Sequence, residues 1–231
     1  MIPSRQSEED AALYPRRYYA AVRRTGDKPV TLYLIAKRIF DIAASAVALI
    51  VLSPLFLILA LAIKLEDPRG SVFFGQTRVG LEGKHFRMFK FRSMISNAEA
   101  LLPSLLAQNE VSGPMFKMRN DPRVTRVGRF IRRTSIDELP QLLNVLKGEM
   151  SLVGPRPSLP HEVERYSEYD RLRLTVTPGC TGLWQVSGRS GLDFAQMVEL
   201  DLMYIEQRSL LLDLKIMFMT AWQLVRSNNA Y

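Results

Sequence analysis

The chain has 231 residues, with 31 Lys and Arg against 23 Asp and Glu, a formal charge of +8. Its 47% apolar content is enough for a core and excludes general disorder, while the basic excess favours an anionic partner: nucleic acid, lipid headgroups or a phosphorylated substrate. One cysteine, Cys180, excludes an internal disulfide, and with only His85 and His161 beside it most His/Cys zinc sites are excluded too, so any metal is expected to be a hard ion on carboxylates.

Residues 1–36 read as a basic N-terminal arm that can be disordered, with Arg16, Arg17, Arg23 and Arg24 interleaved with Tyr14, Tyr18 and Tyr19. Beside a membrane segment, such an arm suits anionic headgroups. Between Asp41 and Lys64 lie 22 residues, Ile42 to Ile63, without a charge. As a helix they reach roughly 33 Å, close to the hydrocarbon thickness of a bilayer. The run starts too far into the chain for a secretory signal peptide.

Ser53-Pro54 falls near its midpoint. Pro54 cannot pair the carbonyl of Ile50, and the Ser53 hydroxyl is a nearby substitute. Lys37 and Arg38 precede the run and Lys64 and Arg69 follow it, which conflicts with the positive-inside rule for a span. The reading is a re-entrant membrane helix over 37–64, broken at Ser53 and Pro54, entering and leaving by one leaflet. Its arms would be roughly 14–17 Å long, about half a bilayer core. The alternative is a plain kinked transmembrane helix.

Ser71–Val79 and Lys84–Met94 are short aromatic-rich runs around Gly80–Gly83 and predict a β-hairpin. Ser96–Ala107, Pro160–Leu174, Leu192–Gln207 and Leu210–Val225 predict helices. The apolar stripe of the last, with Phe218 and Trp222 on one side, reads as core in preference to membrane interface.

Residues 117–133 hold seven basic side chains (Lys117, Arg119, Arg123, Arg126, Arg129, Arg132, Arg133) against one acid, Asp121. Arg126, Arg129 and Arg133 recur at helical spacing and share a face. Ser135 and Glu138 then fit a capping box, followed by a Leu139, Leu142, Leu143, Leu146 stripe. Pro140 fits better if Asp137 is itself the cap. On either choice Asp137 and Glu138 fall in the first turn of an amphipathic helix ending near Gly148, where dipole and arginines favour ionised carboxylates. A catalytic dyad and a plain cap both stay open on this pattern.

Gly154-Pro-Arg-Pro157 fixes the backbone around Arg156, which suits either bidentate phosphate recognition or a tight turn. Thr177–Arg189 is rich in small residues, as a nucleotide-contacting loop or a connector would be. Neither a Walker A sequence nor G-x-G-x-x-G is present.

In chain order stand Lys37-Arg-Ile-Phe-Asp41, Ser53-Pro54, Phe89-Lys-Phe-Arg-Ser-Met94, Asp137-Glu138, Gly154-Pro-Arg-Pro157 and Pro178-Gly-Cys-Thr-Gly-Leu-Trp-Gln-Val-Ser-Gly-Arg189. Over about residues 34–231 this resembles the bacterial sugar transferases, monotopic polyprenyl-phosphate hexose-1-phosphate transferases. The likeness is to the short exopolysaccharide-initiating type without the multi-helix N-terminal domain of longer members. Cys180 departs from the usual aliphatic residue.

The resemblance implies a helix-dominated α+β fold, with a cytoplasmic catalytic domain over 65–231 at the bacterial inner membrane. It implies that a UDP-sugar, carrying galactose or glucose, and undecaprenyl phosphate give UMP and the undecaprenyl-diphosphate sugar, which downstream glycosyltransferases can extend. Asp137 would be the nucleophile of a covalent phosphosugar intermediate. Asp137 and Glu138 would hold Mg²⁺, with Glu138 left to metal binding or proton handling. Lys90, Arg132, Arg156, Arg189 and Asp201 would bind substrate. Two other classes compete: a membrane-tethered nucleic-acid module with strongly salt-dependent affinity, and a non-catalytic scaffold. Neither accounts for Asp137-Glu138 and Gly154–Pro157, so no nucleic acid is expected.

Overall fold

The computed structural model describes residues 32–105, 118, 121–188 and 192–226. The uncharged run lies in one helix, α1 (Leu32–Glu66), with Pro54 inside it. The Ser53 hydroxyl donates to the Ile50 carbonyl at 2.7 Å, the carbonyl that Pro54 cannot pair. The expected break is therefore a substituted hydrogen bond within one helix, and not a gap between two. Only Asp41, Ser45, Leu59 and Ile63 of α1 are buried, while Ile50, Val51, Leu57 and Ile58 are 65–72% exposed. Apolar bands of that extent mark surfaces that are normally covered.

Both ends of α1 dock on the same body. Lys37 pairs with Asp213 at 2.8 Å. Arg38 donates to the carbonyls of Val145 and Leu146 at 2.6 and 2.9 Å, and Asp41 accepts the Leu152 N–H at 3.1 Å. At the other end Leu59 and Ile63 pack with Phe91 and Ile131. Glu66 accepts the N–H groups of Arg126 and Val127 at 2.6 and 2.9 Å. Arg38 thus meets a helix C-terminus and Glu66 a helix N-terminus, the favourable sign at each.

The hairpin forms as expected, from β1 (Phe73–Val79) and β2 (His85–Phe91), antiparallel with Val79 opposite His85. Phe91 is 1% exposed and is held edge-on to Phe56 at 5.0 Å and stacked on Phe73 at 5.4 Å. A short helix α2 (Ala98–Leu105) follows, within the expected range.

Helix α3 (Arg126–Arg133) is capped by Thr125, which accepts the Gly128 N–H at 2.8 Å. Arg126, Arg129 and Arg133 are exposed, as their spacing predicts. Arg123 is buried instead, clasping Asp121 through Nε and Nη2 at 2.9 and 2.6 Å.

The capping box at Ser135 does not form. Ser135 is left-handed (φ 56°) and makes no side-chain cap. A 3₁₀ turn covers Ile136–Glu138, and the helix, α4 (Gln141–Lys147), begins only after Pro140. Asp137 and Glu138 therefore precede the helix by a full turn. Pro140 supplies the reason: it has no N–H to give and is tolerated only at a helix start.

Strand β3 (Ser151–Val153) pairs in parallel with β4 (Gly179–Thr181), a pairing the sequence did not announce. The helix expected over Pro160–Leu174 is two pieces, α5 (Pro160–Val163) and a 3₁₀ segment, Asp170–Thr175. Between them Asp170 accepts from the Ser167 N–H and hydroxyl at 2.9 and 2.8 Å, a local side-chain arrangement that competes with helix.

Then come α6 (Leu183–Ser187), α7 (Phe194–Gln207) with an Asp193–Gln196 capping box, and α8 (Leu210–Arg226). Val153, Val198, Leu202, Ile205 and Ile216, each at most 1% exposed, centre the main core. The Phe218–Trp222 stripe is not core: those residues are 70% and 57% exposed. The opposite face, with Leu212, Ile216 and Met219, faces the core; α8 is apolar on both sides and packs on one.

Asn144 of α4 is fully buried and stands in for a neighbouring strand along β2. Its Oδ1 accepts the Phe89 N–H at 3.0 Å and its Nδ2 donates to the Arg87 carbonyl at 2.8 Å. Replacing it by Leu orphans both backbone groups. Asn144→Leu is expected to lower stability by about 1–3 kcal/mol, read as a reduced denaturant midpoint at unchanged slope.

Candidate active site

Phe91 points into the α1–α3 cluster, so its neighbour Lys90 leaves the opposite face of β2, in a register fixed by Asn144. There Lys90 Nζ meets Glu138 Oε1 at 2.6 Å. The 3₁₀ turn that presents Glu138 is entered through Ser135, whose positive φ costs about 1–2 kcal/mol for a residue with a Cβ. The turn closes by N–H to carbonyl bonds, Ser135 to Arg132 at 3.0 Å and Glu138 to Ser135 at 3.2 Å.

The two adjacent carboxylates have opposite characters. Asp137 is 9% exposed. Burial, reinforced by the Glu138 charge, lifts its pKa from 3.8 to about 6 against the pull of Lys90 and Arg132. Burial also acts to raise Glu138, but Lys90, Arg156 and Arg78 outweigh it and hold that carboxyl below its ordinary value. The expectation of ionised carboxylates thus holds firmly for Glu138, whereas Asp137 titrates near neutrality. Two carboxyls driven apart by their surroundings are what divided acid, base or nucleophile roles require.

Arg132 reaches in from α3, with its Nε donating to Ser93 Oγ at 2.7 Å. Gly128 permits this approach, because a Cβ there would stand 1.9 Å from the Ser93 carbonyl oxygen. Arg156 projects half-exposed from a loop whose two prolines are buried. That loop is fixed at its base by Gly154 N–H to Thr181 O at 2.9 Å and Gly179 N–H to Pro155 O at 2.8 Å. A Cβ on Gly179 would lie 2.0 Å from the Gly154 nitrogen, so this glycine serves backbone contact between β3 and β4, the connector reading of that stretch.

Lys90, Arg132, Asp137, Glu138 and Arg156 are therefore brought within electrostatic reach of one another. Asp201 is completely buried in α7 and is engaged by Arg173, at 2.8 Å from Nε and 2.6 Å from Nη2. Arg189 lies outside the described residues. The sequence reading missed Arg78, which is 7% exposed; burial and the neighbouring Arg156 bring its pKa down to about 10, and Glu138 acts the other way. Its only signal was a basic residue on the inward face of a hairpin strand.

No third His, Cys, Asp or Glu joins Asp137 and Glu138 among the described residues. Two carboxylates fit an ion that fills its shell with water and phosphate oxygens, which is the habit of Mg²⁺. They do not fit one needing an all-protein cage.

Ionising Asp137 opposes folding in metal-free protein. The folded-state pKa of about 6 exceeds the unfolded 3.8, so the folded state binds more protons in between, and stability falls as pH rises through that window. Asp137→Asn removes the penalty. In chelator-treated protein the variant is expected to be more stable than wild type by about 2–3 kcal/mol near pH 7.5, and equal to it near pH 3.5, by denaturant titration.

Residues 32–227 match the bacterial sugar transferase family. The chain is 47% identical over 189 residues to the galactosyl transferase CpsE of Streptococcus agalactiae serotype III, covering 81% of this chain but only 42% of that protein. It is 43% identical over 201 residues to the exopolysaccharide production protein ExoY of Sinorhizobium fredii, covering 85% of this chain and 88% of the relative. With the UDP-glucose:undecaprenyl-phosphate glucose-1-phosphate transferase of Caulobacter vibrioides it shares 42% identity over 228 residues, covering 95% and 80%. The chain thus spans less than half of the streptococcal protein and most of the other two. A family match that takes in α1, the Lys90–Glu138 pair and the Arg156 loop together settles the kinship: the chain belongs to the bacterial sugar transferase family.

Proposed function

We propose that this protein transfers hexose-1-phosphate, as the galactose or glucose derivative, from a UDP-sugar to undecaprenyl phosphate and releases UMP. The observation that carries the reading is the Asp137–Glu138 pair among Lys90, Arg132, Arg156 and Arg78: a carboxyl that can ionise near neutrality, ringed by cations suited to a diphosphate. The names of the relatives, which include a galactosyl transferase and a glucose-1-phosphate transferase, support the same class.

In the proposed route an Asp137 carboxylate oxygen attacks the sugar-bearing phosphorus. The bond from that phosphorus to the bridging oxygen breaks, and UMP leaves with the electron pair. A phosphate oxygen of undecaprenyl phosphate then attacks the same phosphorus and returns Asp137 as a carboxylate. Splitting one transfer in two spares the bulky nucleotide and lipid from occupying the site together. Arg156 and Lys90 neutralise diphosphate charge as it builds. Mg²⁺, held by Asp137 and Glu138, would add Lewis-acid stabilisation of phosphoryl oxygens when bound. The product is a lipid-linked sugar that a downstream glycosyltransferase can extend.

The membrane-surface reading is supported by α1 itself. At 1.5 Å per residue, its 35 residues extend over roughly 52 Å, yet both ends bond to one body while one apolar side stays bare along the helix. Ends on one body favour a helix dipping into the cytoplasmic leaflet over one crossing it. The exposed Arg126, Arg129 and Arg133 sit beside the Glu66 end of α1, where lipid headgroups would lie; this favours anionic lipid over nucleic acid as their partner.

The deciding assay is UMP release by purified protein with undecaprenyl phosphate and a panel of UDP-sugars; no release from any of them would refute the transferase reading. Asp137→Asn is expected to abolish turnover, by at least about 10³-fold in kcat, while remaining folded. Arg156→Lys keeps the charge but loses the planar fork, and kcat/KM should fall by about 10–100-fold; equal values would reduce Arg156 to a generic cation. For topology, Leu32→Cys and Arg69→Cys in a Cys180→Ser background should both resist an impermeant thiol reagent applied to intact cells and react in inverted vesicles. Labelling from opposite sides would make α1 an ordinary span.

A further inference from the structure

The loop carrying Arg156 is tethered from two sides by residues outside the cation cluster or at its edge. On one side Arg78 Nη1 donates to the Pro157 carbonyl at 3.0 Å, while its Nη2 is steadied by Gln76 Oε1 at 2.7 Å. The adjacent Val79 N–H donates to the Ser158 carbonyl at 2.9 Å. On the other side the Tyr166 hydroxyl lies 2.5 Å from Ser158 Oγ. Arg173 Nη1 donates to that same phenolic oxygen at 3.0 Å, so the Tyr166 hydroxyl bridges Arg173 and Ser158, and either hydroxyl can supply the proton of the second bond. Arg173 is in turn clamped by Asp201 and lies 5.8 Å from the ring centres of both Tyr166 and Phe194.

We propose that Asp201, Arg173 and Tyr166 form a relay of positioning residues which, with Arg78 opposite, holds the Arg156 loop, so that Asp201 serves the transfer without touching substrate. Every link from Asp201 through Arg173 and Tyr166 to Ser158 is a hydrogen bond between fixed groups, and three of these four residues belong to different elements: α7, the 3₁₀ segment and the loop after β3. The fourth, Tyr166, sits between α5 and that segment. The arrangement explains why an acid deep in α7 belongs with a site it does not line. It also gives Ser158 a part that its sequence position beside Pro157 only hints at. A guanidinium on a tethered loop meets a phosphate pair without reorganising, which is the condition for its full electrostatic effect.

This rests on the transferase reading, and the experiment separates the two. Tyr166→Phe and Ser158→Ala each delete one end of the same hydrogen bond and leave the buried Arg173–Asp201 pair intact. Each is expected to lower kcat/KM by about tenfold while the protein stays folded, with a melting temperature no more than about 5–10 °C below wild type, and the double variant to lower kcat/KM by little more than either alone. In an Arg156→Lys background Tyr166→Phe should cost less than about twofold, because the fork it positions is gone. Losses that multiply independently of Arg156, or unaltered kcat/KM in both single variants, would overturn the relay. Amide exchange at Gly154, Arg156 and Ser158 reads the tether without turnover: acceleration in Tyr166→Phe supports it, and wild-type rates refute it. A wild-type protein that releases no UMP overturns the transferase reading, and the exchange rates still decide whether the loop is held.

Discussion

Both ends of an apolar helix are fastened by charged side chains to one folded body, and the site is arranged around those fastenings. Arg38 on the carbonyls of α4 and Asp41 on the Leu152 N–H set the segment from Gln141 to Val153. Glu66 on the first N–H groups of α3 sets the helix that delivers Arg132. The bare apolar side of α1 is of the kind that is normally covered, and its tethers hold the carboxylate pair in fixed relation to it. Of the charges that read in the sequence as flanks of a membrane segment, Arg38 is thus also a structural ligand for a helix end.

The carboxylate pair shows how a two-residue motif is given two characters by its surroundings. Lys90 closes directly on Glu138, and Arg156 and Arg78 add to it. Asp137 receives burial and the repulsion of its neighbour. The fold places a carboxylate that costs stability when ionised at the position the proposed route gives to its nucleophile, the usual trade between stability and activity. Ser135 in a left-handed conformation belongs to the same trade, since it aims the turn that a simple helix start would have buried differently.

A second theme is preorganisation by backbone contact. Glycines at 128, 154 and 179 let chain segments touch where a methyl group would collide. Asn144 supplies the strand that β2 lacks. Arg78 and Tyr166 grip the residues next to Arg156. None of these touches the carboxylates by hydrogen bond, yet each restrains a group that acts on them. In the proposed reaction such restraint would let a few cations act on a diphosphate without waiting for loops to settle.

Elements whose signal is local are legible in the chain alone. The uncharged run, the Ser53 repair of the Pro54 gap, the hairpin and α7 follow from composition, proline chemistry and short-range periodicity, and all stand in the structure. The ordered motifs also carried the family, and Lys90, Arg132, Arg156, Asp137 and Glu138, singled out from them, lie within electrostatic reach of one another. Only the tertiary structure decided what depends on partners far along the chain. It moved Asp137 and Glu138 out of a helix and into a 3₁₀ turn, because Pro140 restarts the helix after them. It split Pro160–Leu174 at the Ser167–Asp170 turn and left Phe218 and Trp222 exposed on α8. It separated the titration of two neighbouring acids, both pushed up by burial, by bonding only Glu138 to a lysine 48 positions away and setting Arg156 and Arg78 near it. Burial and charge pairing are properties of three-dimensional neighbours, and a one-dimensional pattern records them only where those neighbours are also close in sequence.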